Sequence, residues 1–259
     1  MEKKKGISGS TLKMIAIVTM LIDHIGAAVL ARLLMVNGLG ELDQTNTDAI
    51  MQWLSANGAL YWMYTVMRMI GRVAFPIFCF LLVEGFLHTH DVKKYAMRLG
   101  LFALISEIPF DLAFSSKILE FNYQNVFFTL FIGLLTMIAY RAVEEKEEWN
   151  QALKVILYIL IVAAGMALAY FLKTDYAEKG VFCIMVLYIF RKKKMWQIIA
   201  GCASFIWETP ALFGFIPIAF YNGTRGLKMK YFFYIFYPAH LLILYLLCYF
   251  MGISGYSAV

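Results

Sequence analysis

Two residues at the start of this chain have types and a spacing that suit chemistry: Lys13 and His24, both inside the first apolar run. Eleven helical steps of about 100° end about 20° past three turns, so the two side chains share one face, about 16 Å apart. A cation near a membrane mouth and an imidazole at mid-depth suit a long anionic ligand with a reactive end, a shape and charge that coenzyme A has. The imidazole can take up a proton near neutral pH, as a general base must. Asp23 adjoins His24, but neighbouring helical positions diverge by about 100°, which leaves this carboxylate free to pair elsewhere.

Further charges lie deep in apolar sequence: Arg68, Arg72, Glu84, Glu107, Asp111 and, near the far end, His240. One charge at a bilayer centre costs about 2.5–3.5 kcal/mol even on the lenient insertion scale, so this many implies mutual pairing or a wet cavity. Arg68 and Arg72 share a helical face, as do Glu107 and Asp111, so interlocking ion pairs between the second and third spans are one reading and a direct substrate role is the other. Pro76 and Pro109 stand beside these charges and are expected to bend their helices, freeing backbone groups to line a cavity. His240 is either a second acid or base, or a hydrogen-bond partner for backbone opened at Pro238. His88 and His90, with Glu84 one turn earlier, form too thin a ligand set for a metal, and none is expected.

The elements that must position these residues are membrane helices. The chain has 259 residues, 62% hydrophobic and 15% charged, and a mean hydropathy of +0.71, whereas soluble domains carry about 25% charged residues. The apolar runs recur along the whole length, which predicts an all-α, polytopic helix bundle forming a single membrane domain over 1–259. Candidate spans lie near 11–36, 60–87, 95–115, 123–142, 152–172, 177–190, 195–208, 211–221 and 231–252. That is about nine, with the sixth to eighth short enough to be broken, tilted or re-entrant.

Lysines and arginines gather in alternate loops: Lys3 to Lys5, Lys93 and Lys94, Arg141 and Lys146, Arg191 to Lys194, then Arg225, Lys228 and Lys230. The other loops hold Lys117, Lys173 and Lys179, and the largest of them, near 37–59, carries Glu41, Asp43 and Asp48 without a basic residue. The first set, and with it the amino terminus, is therefore expected in the cytoplasm. Basic clusters of this kind explain the net charge of +6 without nucleic acid, for which no soluble module exists. Lys13, Arg32, Arg98 and Lys154 lie near span ends, where long stems let a charge snorkel to headgroups. Tyr61, Trp62 and Tyr64 fit an interfacial belt. The scattered Cys79, Cys183, Cys202 and Cys248 fit packing roles.

The run from Ser10 to Gly26, containing Lys13, Asp23 and His24, resembles the opening of the TraX family, whose named member acetylates the amino terminus of a conjugative pilin. Further matches follow in order: Arg68 through Pro76, Glu84-Gly85-Phe86, Arg98 with Glu107-Ile-Pro109-Phe-Asp111, Asn125-Val126, Thr174-Asp175-Tyr176, Tyr221-Asn222-Gly223, and Tyr237-Pro238-Ala-His240. TraX proteins in turn look like the wider transmembrane acyltransferase group, in which an arginine and a histidine separated by ten residues mark the active site. Lys13 and His24 keep that spacing, with lysine preserving the cation but losing the planar fork.

The resemblance implies a bacterial cytoplasmic-membrane acetyltransferase that takes acetyl-CoA from the cytosol. The acceptor would be an amine or hydroxyl of a peptide terminus, a sugar or a lipid headgroup. His24 would be the base, with His240, Asp23, Arg72 and Tyr176 as further catalytic candidates. Arg72, Tyr176 and Tyr237, in that order, are candidates for steadying the oxyanion. Lys13, Arg68, Arg72 and Arg98 would hold the coenzyme, while Glu84, Glu107 and Asp111 would form structural ion pairs. A transporter using the same charges, or a noncatalytic pilus assembly factor recognising helices by its own spans, are the alternatives. An odd span count, which gives no two equal halves, weighs mildly against transport.

Overall fold

A computed structural model describes residues 5–227 and 230–257. Lys3, Lys4 and Lys228, counted above among the loop charges, lie outside the described residues, as does the side chain of Lys230. Among those described the secondary structure is helical: α1 (Gly9–Ile25), a π-helical turn (Gly26–Leu30), α2 (Ala31–Val36), α3 (Thr47–Gly71), α4 (Ala74–His88), α5 (Val92–Ser115), α6 (Val126–Glu144), α7 (Gln151–Phe171), α8 (Ala177–Ile189), α9 (Lys194–Ser204), a 3-10 segment (Thr209–Gly214), α10 (Phe215–Ala219) and α11 (Lys230–Phe250). Side-chain oxygens of Ser8, Asn46, Asp91, Asn125 and Asn150 cap the starts of α1, α3, α5, α6 and α7, answering amides that would otherwise be orphaned at a helix start.

Among the described residues, five helical stretches are long and apolar enough to cross a membrane: 9–36, 47–88, 126–144, 151–171 and 232–250. Nine crossings are not confirmed, and the seventh and eighth candidates form a short, re-entrant pair of the kind the sequence allowed. The Lys194 ammonium donates to the carbonyls of Ala219 and Tyr221, both at 2.7 Å. The start of α9 and the end of α10 therefore meet, and the two form a hairpin that enters and leaves at the same end of the bundle. Its helices are too short to cross: 11 residues of α9 rise about 16 Å, against a hydrocarbon core of about 30 Å. A Cβ on Gly201 would fall 2.4 Å from the Phe215 ring, so glycine permits the two arms to close.

The sequence also suggested a loop over 37–59, yet 47–59 are the first turns of α3. The bends expected at prolines are met unequally: the second apolar run breaks four residues before Pro76, whose ring excludes an amide bond to the Arg72 carbonyl, and no break marks Pro109. Pro109 lies within an uninterrupted α5, and Pro76 occupies the first turn of α4, where no intrahelical donor is needed. The break in the second apolar run comes just before it, at Arg72 and Val73. Nor do all the end-of-span cations snorkel. Arg32 is 0% exposed and donates to the carbonyls of Ala28, Ala113 and Tyr256, satisfying carbonyls at the end of α5 and holding the carboxyl-terminal segment. Lys154 is buried as well.

Two apolar clusters make the core. One gathers α4, α6 and α8 around Ile77, Val83, Leu134, Met137 and Ile184; the other gathers the far half of α1 with α5 and α11 around Ala28, Phe110, Tyr237 and Leu241. α1 contributes Leu12 and Ala16 to the first and Ile17 and Met20 to the second, so its polar stripe runs along the seam between them.

Candidate functional site

The seam holds two cavities, named inner and outer after the orientation expected from the loop charges. The inner one, of about 610 Å³, reaches the end of the bundle where Gly9, Thr89 and Gly223 lie, and its polar lining includes Lys13, His88, His90, Arg98, Arg225 and Tyr234. The outer one, of about 100 Å³, is lined by Asp23, His24, Arg68, Arg72, Asp175 and Tyr176. Met20, Phe78 and Val126 line both and form an apolar septum. Along α1 and the π-helical turn that continues it, Lys13, Ile17 and Met20 face the inner cavity and Met20, Asp23, His24 and Ala27 the outer, the i, i+3, i+4 stripe expected of one helix face. Lys13 and His24 thus stand in different cavities, joined by one side of one helix.

The ionic contacts depart from the expected scheme. Arg68 Nη1 pairs with Asp23 Oδ2 at 2.7 Å, and Arg72 Nε pairs with Glu208 Oε1 at 3.1 Å. Neither arginine pairs with Glu107 or Asp111. Those carboxylates instead organise the connection after α5: Glu107 accepts from the Asn125 side chain, and Asp111 accepts from the Glu120 amide at 2.8 Å. A carboxylate that fixes a loop by its backbone does the work expected of an ion pair without a second charge. Glu84 lies 3.9 Å from His88 on its own helix. Arg68 and Arg72, expected beside Lys13 and Arg98 on the coenzyme, line the outer cavity.

Gly71 makes the Asp23 contact possible. A Cβ there would sit 2.0 Å from that of Asp23, so only glycine lets α1 and α3 approach with a carboxylate between them. Asp23 Oδ1 is buried without a hydrogen-bond partner, as is Arg98 Nε in the inner cavity. Ser106 Oγ, Glu107 Oε1 and Asp111 Oδ1, which line neither cavity, are left in the same way.

The far wall of the outer cavity is built from two connections. Gln124 N donates to Lys173 O at 3.0 Å and Asp175 N to Gln124 O at 2.8 Å, which ties the turn before α6 to the turn before α8. Tyr176 and Ala177 both take left-handed backbone conformations, with φ of 64° and 40°, a strain that persists only where surroundings over-determine it. The surroundings here are the Phe75 ring stacked on Tyr176 at 3.6 Å and the Tyr123 hydroxyl donating to Asp175 Oδ1 at 2.7 Å. Burial pushes the Asp175 carboxyl up to about 6, against the lowering effect of the Tyr123 hydrogen bond.

His24 and His240 come together: His24 Nδ1 lies 2.7 Å from His240 Nε2. Tyr237 lines the inner cavity, with its ring edge-on to His24 at 5.9 Å. Tyr64 lines the outer cavity. Three charged site residues and the three septum residues escaped the sequence reading. Arg225 looked like one loop charge among many, and Asp175 was noted only inside a matching tripeptide. Glu208 drew no notice, although a carboxylate ending a short apolar run is a signal of the same kind as Glu84. The septum residues look like ordinary core. Among the described residues, no three His, Cys, Asp or Glu side chains gather closely enough to hold a metal.

Residues 8–248 match the family model described as TraX protein. The chain belongs to the TraX family. A curated relative of this TraX family member, named probable fimbrial assembly protein FimC, serogroup H1, from Dichelobacter nodosus, is 27% identical over an alignment covering 71% of this chain and 83% of that protein. No solved structure matches the chain. Family membership together with the apolar helices makes it a multi-pass membrane protein.

Proposed function

We propose that the protein is a membrane-embedded acyltransferase that takes an acetyl group from acetyl-CoA at its basic, cytoplasmic end and delivers it to an amine or hydroxyl in the outer cavity. The observation that carries this reading is the single face of α1 that joins a cation-lined cavity of about 610 Å³ to a histidine across an apolar septum. That volume falls within the roughly 300–1,000 Å³ of small-molecule sites. Lys13, Arg98 and Arg225 make no ion pair among the described residues, so donor phosphates meet cations that need not first be released from carboxylates.

In this reading the thioester reaches the septum at Met20 and Phe78. His24 removes the proton from the acceptor as its nitrogen or oxygen attacks the carbonyl carbon, and the carbon–sulfur bond breaks. The proton then passes from His24 to the departing thiolate. General-base help of this kind is worth roughly 10²–10⁴ in rate. Arg72 and Tyr176, at the same cavity, are placed to steady the oxyanion. The decisive experiment follows radiolabelled acetyl from acetyl-CoA into acceptors in inverted membrane vesicles, comparing wild type with His24→Ala. Label transfer by wild type alone supports the reading, and equal transfer by both defeats it.

A second reading has a specific observation in its favour. Two cavities on opposite sides of a septum also suit a transporter that exposes its site alternately. Solute or proton flux that persists in His24→Ala vesicles without any acetyl-CoA would favour it. The relative named as a fimbrial assembly protein supports a role in pilus biogenesis under either chemistry, with a pilin-type helix as the acceptor or client.

A further inference from the structure

His240 is 5% exposed, and both of its ring nitrogens are engaged. Nδ1 lies 2.7 Å from the Phe236 carbonyl oxygen. A carbonyl only accepts, so this nitrogen carries the proton. In a neutral ring Nε2 is then a bare acceptor, and Nε2 is the atom that faces His24. It follows that His24 donates its own proton from Nδ1, which leaves its Nε2 lone pair at the opposite edge of the ring. His24 lines the outer cavity.

The ring geometry supports this assignment. The two imidazoles are 3° from parallel, with centroids 5.0 Å apart. Combined with the 2.7 Å contact between nitrogens, that places them edge to edge in a common plane, as a straight N–H···N bond requires, and not face to face. Aromatic side chains hold the plane. Phe236 lies against the face of His240 at 4.8 Å, while Phe114 and Tyr237 meet His24 edge-on at 5.4 and 5.9 Å.

We infer that His240 is a positioning residue, which holds His24 in the Nδ1–H tautomer so that Nε2 is presented, unprotonated, to the outer cavity. The catalytic part of this inference rests on the acyltransferase reading, in which His24 is the base. The tautomer part does not. A free imidazole favours the Nε2–H form, which would point a proton where a base needs a lone pair. The role matches the logic by which an oriented partner fixes a catalytic or metal-binding imidazole through its second nitrogen. It also gives the Phe236 carbonyl, and hence the backbone beside Pro238, a place in the site.

The chain has four histidines, so ¹⁵N-histidine NMR of the full-length protein in nanodiscs can read each tautomer, with single substitutions supplying the assignments. Wild type is expected to show His24 protonated at Nδ1. His240→Leu should move it to the Nε2–H form, and His240→Gln, whose side-chain oxygen can accept the same bond, should keep it at Nδ1. Unchanged His88 and His90 signals confirm that each variant is folded. In acetyl transfer, His240→Leu should lower kcat about 10- to 100-fold, the scale seen when an orienting partner is removed, with KM for acetyl-CoA unchanged and with recovery in His240→Gln. An Nε2–H tautomer for His24 in wild type, or no change in His240→Leu, overturns the inference. The expected tautomers with full transfer by His24→Ala would overturn the base reading, and the catalytic role of His240 with it, by a result separate from the NMR.

Discussion

The two cavities differ in how their charges are answered. In the outer one each arginine already has its carboxylate, Arg68 with Asp23 and Arg72 with Glu208. In the inner one Lys13, Arg98 and Arg225 form no ion pair among the described residues, although Glu84 lines the same cavity; Lys13 lies over the Phe233 ring, at 5.2 Å. Paired charges inside a membrane form a frame, because separating them leaves each in a medium that cannot solvate it. The inner cavity has no such frame of ion pairs, which is the difference on which its proposed filling by an anionic donor rests.

This contrast can be broken in several places. The largest effect is expected at the base itself: His24→Ala should reduce acetyl transfer by roughly 10²–10⁴ while leaving acetyl-CoA binding, measured by calorimetry on the solubilised protein, close to wild type. Next, Arg72→Ala should strand Glu208 and lower stability by about 3 kcal/mol, near the low end for a buried pair that loses one partner. Exchange of the two residues, as Arg72→Glu with Glu208→Arg, should recover part of the thermal midpoint, whereas pairing Arg72→Glu with Glu107→Arg should not. Recovery by the Glu107 exchange would contradict the observed contacts.

Gly71→Ala should cost about 1–3 kcal/mol by overpacking, because its new methyl meets Asp23. Its signature would be lost transfer with donor binding intact. A smaller effect is expected in the inner cavity. Lys13→Ala and Arg225→Ala should each weaken acetyl-CoA binding about tenfold, with a shallower salt dependence and little change in thermal midpoint. A large fall in midpoint would mean that these cations belong to the frame after all.

The last prediction concerns pH. Asp175 has a carboxyl pushed up to about 6 by burial, so the folded state holds its proton more tightly than the unfolded chain does. Its stabilising contribution is present below the ordinary carboxylate value near 4 and is lost as pH rises through 6. Asp175→Asn, which keeps an acceptor for Tyr123, should therefore gain stability relative to wild type across that window. Parallel stability curves for the two proteins would remove the assignment.

The sequence by itself determined the helical class, the membrane setting and the α1 stripe. Each rests on a property that a run of residues possesses alone: hydropathy, the 3.6-residue period, and the cost of a charge in hydrocarbon. Lys13 and His24 share a face for that reason, and Arg72 stood out as a charge in an apolar run, whereas Tyr176 was a candidate through the family resemblance. Partner choice was not legible. Arg68 and Arg72 could reach Glu107 and Asp111 on helical geometry, but Gly71 lets Asp23 approach first, and the hairpin of α9 and α10 delivers Glu208 from more than a hundred residues away. Nor did spacing place His240, separated from His24 by 216 residues, in the plane of the other imidazole. Tertiary structure decided these matters because a buried charge or imidazole takes whichever partner the packing of distant helices brings within about 3 Å, and no local pattern encodes that approach.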